Sequence, residues 1–231
     1  MEQQRAIIVT GASRGLGFEL LDLLIAADAR PMALGRRLHP RHEAAAAKNA
    51  CTFVAADFSA LPSLDQIDLA SALPQTADEI VLISNAGIVE PIGTLGFIDA
   101  GALVKAFEVN ALAPAILARK LLAGADAQGT RLRVLNISTG AAHRALPGLA
   151  SYCASKAAAA MIFDCLAAER PDVVVEHIDP GVLNTDMQIV LRSAADQDLP
   201  VRDMFLSFEA EAKLRHPRDV AREILARAGL L

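Results

Sequence analysis

Short runs of aliphatic and β-branched residues alternate along the chain with longer segments of helical periodicity. Several of these runs are apolar at nearly every position, which is typical of strands that are covered on both faces of a sheet. The pattern predicts strands at 6–9, 30–34, 51–56, 79–84, 132–138 and 172–178. It predicts helices near 15–27, 41–48, 60–73, 98–123 and 150–170.

The same alternation predicts the fold class. Strand–helix–strand units are the building blocks of parallel sheets. We therefore expect an α/β fold of the Rossmann type, a doubly wound parallel sheet with helices on both faces, in a single domain over residues 1–231. Ligands of such sheets bind outside the carboxyl ends of the strands. The apolar segment 183–208 lacks a clean period, and we interpret it either as a substrate-binding lid or as a packed surface helix.

Composition narrows the range of possible functions. Hydrophobic residues make up 53% of the 231 positions and charged residues 21%, which favours a buried core over disorder. The net charge of −5 argues against nucleic acid as a partner. Three cysteines without CxxC spacing predict neither a disulfide framework nor a metal site. With no signal peptide and no uncharged stretch near the ~18 residues of a membrane span, the sequence predicts a cytoplasmic protein without membrane contact.

A glycine-rich stretch, TGASRGLG at 10–17, follows the first predicted strand and opens the first predicted helix. Gly11 permits a tight turn, while Gly15 and Gly17 let the backbone approach a ligand and let the helix pack on the sheet. The free N–H groups at the start of that helix are suited to a pyrophosphate. Because the spacing is not the GxGxxG of the dinucleotide fingerprint, a glycine-rich turn without a ligand is the alternative interpretation.

A tyrosine and a lysine share one face of the last predicted helix, since Tyr152 and Lys156 stand four positions apart. A free tyrosine has a pKa of about 10, and lowering that pKa to about 7 requires roughly 4 kcal/mol of preference for the phenolate. One cation near 4 Å, at an effective dielectric constant of about 20, supplies roughly 4 kcal/mol. The pair is therefore a candidate for acid–base catalysis, with an amphipathic surface pair as the alternative. We interpret the four alanines at 157–160 as a surface for close packing.

Several motifs occur in an order that resembles one enzyme family, the short-chain dehydrogenases/reductases. The chain carries TGxxxGxG at 10–17, NAG at 85–87, a mid-helix Asn110, a serine segment at 136–139, YxxxK at 152–156 and PG…T at 180–185. Within the family, the segments NISTGAA, SYCASKAA and PGVLNTDMQ look most similar to sepiapterin reductases and to related bacterial benzil reductases. Two features depart from the family pattern. Ser84 stands where an asparagine is usual. The sequence ends in HPRDVAREILARAGLL, and we expect no room there for the customary seventh strand.

The resemblance implies a catalytic group. Tyr152 would be the general acid during carbonyl reduction, Lys156 would also hold the nicotinamide ribose, and Asn110 would help to hold a water that passes protons to the lysine. The family places a carbonyl-binding serine thirteen residues before the tyrosine, a position that is Thr139 here, with Ser138 directly before it. Neighbouring strand residues point to opposite faces, so only one of these two hydroxyls is expected to reach the substrate, and counting favours Thr139.

The resemblance also implies a site for a nicotinamide dinucleotide. Asp57 and the backbone of Phe58 would contact the adenine, and the segment 180–185 would frame the nicotinamide carboxamide. The full set of implied cofactor-binding residues is Gly11, Ser13, Arg14, Gly15, Leu16, Gly17, Arg36, Arg37, Asp57, Phe58, Asn85, Ala86, Gly87, Tyr152, Lys156, Pro180, Gly181, Val182 and Thr185.

The end of the second strand indicates which dinucleotide is bound. An acidic residue there accepts the ribose 2′-hydroxyl of NAD, whereas a basic residue accommodates the 2′-phosphate of NADP. The second strand ends in MALGRR, which places Arg36 and Arg37 at this point, and the resemblance directs Arg14 to the same region. Guanidinium groups bind phosphate in a planar fork, so NADP is the predicted cofactor. Solvated surface arginines are the alternative.

Together these features predict an NADPH-dependent carbonyl reductase that acts on a small-molecule carbonyl substrate. One alternative is an NADP-binding redox sensor or scaffold protein without turnover. Another is an epimerase or dehydratase acting on a nucleotide sugar, which would normally need a longer substrate domain. Because the family commonly pairs through the helices at 98–123 and 150–170, the resemblance also implies a homodimer or homotetramer.

Overall fold

The computed structural model describes residues 4–69, 72–74 and 76–231. In this part of the chain the strands form one parallel sheet in the order β3-β2-β1-β4-β5-β6. The strands are β1 (Arg5–Thr10), β2 (Met32–Gly35), β3 (Thr52–Ala55), β4 (Glu79–Ser84), β5 (Arg131–Ile137) and β6 (Val174–Ile178). The predicted Rossmann-type fold class is confirmed, because helices flank this sheet on both faces.

Helices connect the strands and continue beyond β6. They are α1 (Gly15–Ala26), α2 (Pro40–Ala46), α3 (Leu61–Gln66), α4 (Ala100–Phe107), α5 (Ala113–Gln128), α6 (Ala150–Glu169), α7 (Asp186–Ser193), α8 (Arg202–Ala210) and α9 (Pro217–Arg227). The helix predicted at 60–73 is shorter than expected, since α3 ends at Gln66, and positions 70 and 71 lie outside the described residues. The helix predicted at 98–123 is interrupted by a π-helical turn over Glu108–Leu112. The helix α9 was not predicted.

The sheet buries both faces because successive strand residues point in opposite directions. Ile7 and Val9 of β1 belong to a buried cluster with apolar residues of α1 and α9. Ile8, between them, belongs to a cluster on the other face, together with Leu117 of α5 and Phe163 of α6. This alternation explains why the strands read as continuous apolar runs in the sequence.

One helical run has the length and apolar composition of a membrane span. It covers Ala100–Gln128, and 39% of its most apolar window is buried. Core helices of proteins outside membranes pass the same test, so this is weak evidence. Leu117 and Leu121 of this run pack against the sheet.

The segment 183–208 is helical and packed. It contains α7, and α8 begins within it at Arg202. Leu191 and Phe205 form a small separate cluster with Leu149. The helices and the packed cluster are compatible with both interpretations, the substrate-binding lid and the packed surface helix. The role as a lid stays a prediction.

Two glycines set the path of the chain from β1 into α1. Gly11 has a φ of +70°, in the left-handed region that favours glycine. A β-carbon on Gly17 would lie 2.3 Å from the main-chain oxygen of Gly11 and 2.4 Å from Asn85 Nδ2. The helix can start this close to β1 only because residue 17 has no side chain.

Replacing Gly17 should therefore destabilise the fold. Gly17→Ala is expected to lower the free energy of unfolding by about 1–3 kcal/mol, because backbone atoms of the β1–α1 turn must move. Gly96→Ala is the matched control, since a β-carbon there meets nothing within 4 Å. Denaturant unfolding measures both variants, and equal stability of the two would contradict the packing argument.

Candidate active site

A cavity of about 810 Å³ opens at the carboxyl ends of the strands. Its lining includes the loops that follow β1 and β4, the two neighbours at which the strand order reverses. This is the place where open α/β sheets bind their ligands, and the volume lies within the usual range of ligand pockets.

Most of the predicted site residues line this one cavity. They are Gly11, Ser13, Arg14, Gly15, Leu16, Arg36, Arg37, Asp57, Phe58, Asn85, Ala86, Gly87, Ser138, Thr139, Tyr152, Lys156, Pro180, Gly181, Val182 and Thr185. Gly17 and Asn110 do not belong to the lining. Gly17 packs against Gly11 and Asn85, and Asn110 is hydrogen-bonded to Ile88. The individual roles stay predictions.

The glycine-rich loop presents the start of α1 to the cavity. Arg14 is the N-cap residue of α1, and its side chain does not cap the helix, so the first N–H groups keep their capacity to bind an anion. Thr10, the last residue of β1, holds the loop after β4 in place. Its hydroxyl accepts hydrogen bonds from the backbone N–H groups of Asn85 at 2.9 Å and Ala86 at 3.0 Å. Asn85 Nδ2 donates to the Thr10 carbonyl at 2.9 Å, which ties the loops after β1 and β4 together.

Asn110 lies in the π-helical turn and is almost fully buried. Its Oδ1 accepts from the backbone N–H of Ile88 at 2.8 Å, and its Nδ2 donates to the Ile88 carbonyl at 2.8 Å and to Ser155 Oγ at 2.9 Å. The side chain therefore positions the loop after β4. The implied role in a proton relay to Lys156 stays a prediction.

The structure brings Thr139, rather than Ser138, to the tyrosine. The Thr139 side chain lies close enough to that of Tyr152 to lower the pKa of the phenol. Ser138 Oγ is buried and has no hydrogen-bond partner among the described residues. Of the two candidate hydroxyls, Thr139 is therefore the one that interacts with Tyr152, and its role in binding a carbonyl stays a prediction.

Burial controls the protonation of Tyr152. Loss of water around the phenol raises its pKa to about 12, and the charge of Asp179 adds to the rise, while the hydrogen bond to Thr139 opposes it. The expectation that the nearby ammonium lowers this pKa is therefore wrong for the chain itself. Desolvation of the phenolate, which the sequence argument left out, outweighs the attraction to a cation.

Lys156 is 7% exposed, and its Nζ donates to the carbonyl oxygen of Ile137 at 2.7 Å. Burial lowers its pKa to about 8. A β-carbon on Gly87 would come within 3.9 Å of this Nζ, so the ammonium lies between α6 and the loop after β4.

The three arginines implied as cofactor-binding residues line the cavity. Arg36 and Arg37 follow β2, are exposed, and line the cavity. Arg14 also lines it, and its Nη1 lies 3.2 Å from Asp186 Oδ2. The pKa of Asp57 is lowered chiefly by hydrogen bonds from Ser59, and Arg36 contributes to the shift.

Sequence reasoning missed two parts of the lining. One is the carboxylate of Asp179, whose Oδ1 accepts from the N–H of Gly181 at 2.9 Å. The other is the pair Leu146 and Leu149, which completes an apolar wall with Met187, Leu191, Met204, Phe205 and Phe208 of the predicted segment 183–208. Asp179 could have been noticed beside the PG motif. The wall comes from three chain segments that no local pattern connects.

The arrangement suits a dinucleotide. An uncapped helix start meets a pyrophosphate well, and Gly15, with a φ of +56°, brings backbone to the cavity surface. Arg14, Arg36 and Arg37 line the cavity, as do Tyr152, Lys156 and the segment 180–183. No group of three or more His, Cys, Asp or Glu side chains that could hold a metal ion occurs among the described residues.

The fold and this site define an oxidoreductase of the short chain dehydrogenase family. The sequence profile of that family matches residues 5–196, and the chain belongs to it. Its members use nicotinamide dinucleotides and act on alcohol or carbonyl groups.

Similarity to individual proteins extends over nearly the whole chain. The chain is 29% identical over 229 residues to a benzil reductase ((S)-benzoin forming) of Bacillus cereus, covering 95% of this chain and 92% of the relative. It is 32% identical over 210 residues to the sepiapterin reductase of Bos taurus, covering 83% and 78%. The crystal structure of the KRED1-Pglu enzyme is 27% identical, with a TM-score of 0.82 and coverage of 94% and 91%. The predicted resemblance is confirmed.

The buried lysine predicts a specific dependence of stability on pH. Its pKa is lowered from 10.5 to about 8, so the folded state disfavours the charged form, and this cost is full below pH 8 and fades as the pH rises toward 10.5. The free energy of unfolding of Lys156→Met, relative to that of wild type, should therefore be highest near pH ~7. This advantage should be lost near pH ~10. Exposed Lys48→Met is the control. Denaturant unfolding at several pH values measures the variants. If the difference in the free energy of unfolding between Lys156→Met and wild type does not change with pH, the prediction is wrong.

Proposed function

We propose that this protein is an NADPH-dependent carbonyl reductase that transfers hydride to a ketone or diketone. The observation that carries the proposal is that Thr139, Tyr152 and the buried Lys156 line the same cavity as Arg14, Arg36 and Arg37. Two hydroxyls on one substrate oxygen hold a carbonyl for reduction and supply its proton.

The chain's own residues divide the chemistry as follows. The bound nicotinamide supplies the hydride. Thr139 and Tyr152 hold the carbonyl oxygen, and the phenol gives its proton to that oxygen as the alcohol forms. A pKa of about 12 keeps Tyr152 protonated near neutrality, as a proton donor must be. The phenolate regains a proton from solvent, and Lys156 stabilises the charge in the meantime.

Cofactor selection rests on the charges at the end of β2. Gly35, Arg36 and Arg37 follow one another along the cavity wall, so no carboxylate stands where the ribose 2′-hydroxyl of NAD would be accepted. Together with Arg14, these guanidinium groups would hold the 2′-phosphate of NADPH. The remaining implied cofactor residues would hold the pyrophosphate, the adenine and the carboxamide, as the family resemblance indicates.

The substrate side of the cavity favours an apolar carbonyl compound. Leu149, Leu191 and Phe205 form a buried cluster to which Tyr152 is packed, and Met187 and Met204 adjoin it. Methionine side chains adapt to flat, bulky ligands. Aromatic vicinal diketones such as benzil, or a pterin side chain, fit this wall, in line with the names of the two relatives.

A redox sensor without turnover is the second candidate. An intact Thr139–Tyr152–Lys156 group would be superfluous in a protein that only binds the dinucleotide. Measured turnover therefore separates the two functions.

The proposed partners are a small carbonyl substrate and a second copy of this chain, rather than nucleic acid or a membrane. The apolar side chains of Val104 on α4, Leu112 in the π-helical turn and Met161 on α6 are 56%, 42% and 62% exposed. Helix faces of this kind are suited to pairing between subunits.

Turnover with both nicotinamides tests the function. With benzil and with sepiapterin, kcat/KM should be higher for NADPH than for NADH, because only the former offers a phosphate to Arg36 and Arg37. Arg36→Ala/Arg37→Ala should reduce this preference. If both substrates are inert while short sugars react, the proposed substrate class is wrong; equal use of the two cofactors contradicts the NADPH assignment.

Removing the phenol oxygen tests the mechanism. Tyr152→Phe should reduce carbonyl reduction by about 10² to 10⁴, the usual range for general acid–base catalysis, and leave NADPH affinity nearly unchanged. Lys156→Ala should lose turnover and also weaken NADPH binding. Thr139→Ala should lose more activity than Ser138→Ala, because the Thr139 side chain interacts with the Tyr152 phenol, whereas Ser138 Oγ is buried without a hydrogen-bond partner among the described residues. Steady-state rates beside NADPH titrations measure the set, and near wild-type turnover of Tyr152→Phe leaves the sensor as the better account.

Light scattering tests the assembly. The wild type should exceed the 24.3 kDa of one chain, and Met161→Glu should shift the population toward that mass. Ile189→Glu, at an apolar residue of α7 with 54% exposure, is the control. A wild type that scatters as one chain at all working concentrations would oppose the dimer.

A further inference from the structure

One ion pair joins the glycine-rich loop to the start of α7. Arg14 belongs to the glycine-rich loop, and Asp186 is the first residue of α7. Their Nη1–Oδ2 distance is 3.2 Å, and both side chains line the cavity. The backbone also approaches here, since a β-carbon on Gly15 would lie 3.4 Å from Thr185 Cγ2.

Arg14 differs in this respect from the two arginines that follow β2. Within the described ranges, no salt bridge joins Arg36 or Arg37 to a carboxylate, whereas Arg14 is held by Asp186. The guanidinium proposed to bind the 2′-phosphate is thus partly neutralised by a carboxylate of the chain.

The ion pair is weak enough to be exchanged. The side chains of Arg14 and Asp186 are 68% and 61% exposed, and exposed pairs of this kind contribute little to stability because solvent screens them. A phosphate carries more charge than a carboxylate and offers a guanidinium two parallel hydrogen bonds. It would therefore compete successfully for Arg14, while its charge repels the nearby Asp186.

We propose that Asp186 is a specificity-determining residue that competes with the 2′-phosphate of NADPH for Arg14 and thereby limits the preference for NADPH over NADH. This inference rests on the proposed NADPH-dependent function. NADH has no 2′-phosphate and leaves the pair intact. NADPH draws Arg14 away from Asp186, so the first turn of α7 loses its ion pair with the glycine-rich loop. This turn also carries Met187 of the apolar wall.

The test is a binding experiment that needs no turnover. Isothermal titration calorimetry gives Kd for NADPH and NADH with wild type, Asp186→Asn, Arg14→Ala and the double variant; the chain has no tryptophan whose fluorescence could report binding. Asp186→Asn should tighten NADPH binding about two- to fivefold, the scale of an exposed ion pair, and leave NADH binding nearly unchanged. In the Arg14→Ala background the same substitution should have no effect on NADPH.

A matched control separates the pair from general charge. Asp179→Asn removes another carboxylate from the same cavity, one that bonds to the N–H of Gly181 instead of to an arginine. It should change the Kd values for both cofactors by similar factors. Asp186→Ser is a second variant with the same expectation as Asp186→Asn, should the latter fold poorly by circular dichroism.

The outcomes distinguish this inference from the proposed function. If wild type prefers NADPH and Arg14→Ala reduces the preference, but Asp186→Asn binds NADPH no tighter, the competition is refuted while the proposed cofactor stands. If wild type binds both cofactors equally, both are overturned. An equal gain from Asp186→Asn with and without Arg14 also refutes the competition.

Discussion

The candidate site depends on one constraint: the ammonium group of Lys156 is buried away from water. A buried charge requires a partner, and Lys156 finds one in the carbonyl oxygen of Ile137 at 2.7 Å. For this contact α6 must lie close to the end of β5. Small side chains on α6 permit the approach, because Ser155, Ala159 and Ala160 are buried there. The alanines after the lysine are thus explained by packing and need no ligand.

The same close approach ties the turn of α6 that carries Tyr152 to the loop after β4. Asn110 Nδ2 donates to Ser155 Oγ at 2.9 Å, and Ser155 Oγ donates to the carbonyl of Tyr152 at 3.1 Å. The other bonds of Asn110 hold Ile88. The π-helical turn that carries Asn110 accommodates this link, as such turns often do at functional sites. The loop after β4 and the turn of α6 that carries Tyr152 are therefore parts of one hydrogen-bonded unit.

The sequence was sufficient for the strands and for most, but not all, of the residues that line the cavity. Residues of β1 and β4 are buried on both faces, so their apolar runs had no other good interpretation. The π-helical turn was not predictable, because the apolar pattern continues through 98–123 without a break. The helix α9 was readable from the spacing of Val220, Ala221, Ile224 and Leu225, which pack in the cluster shared with α1. Counting back from Tyr152 favoured Thr139 over Ser138 in the sequence, and the interaction between the Thr139 and Tyr152 side chains supports that prediction.

The pKa of Tyr152 shows where reasoning from spacing ends. Four positions on a helix place a cation near the phenol, but spacing says nothing of how much water surrounds either group. Burial raises the pKa of Tyr152 and lowers that of Lys156, so one physical cause favours the neutral form of both. Near neutral pH only the lysine costs stability, since a phenol is neutral in the folded and in the unfolded chain. In the proposed reaction, a charge that develops on a substrate oxygen beside Tyr152 would meet the hydroxyls and the ammonium at a low effective dielectric constant, where they would stabilise it most strongly.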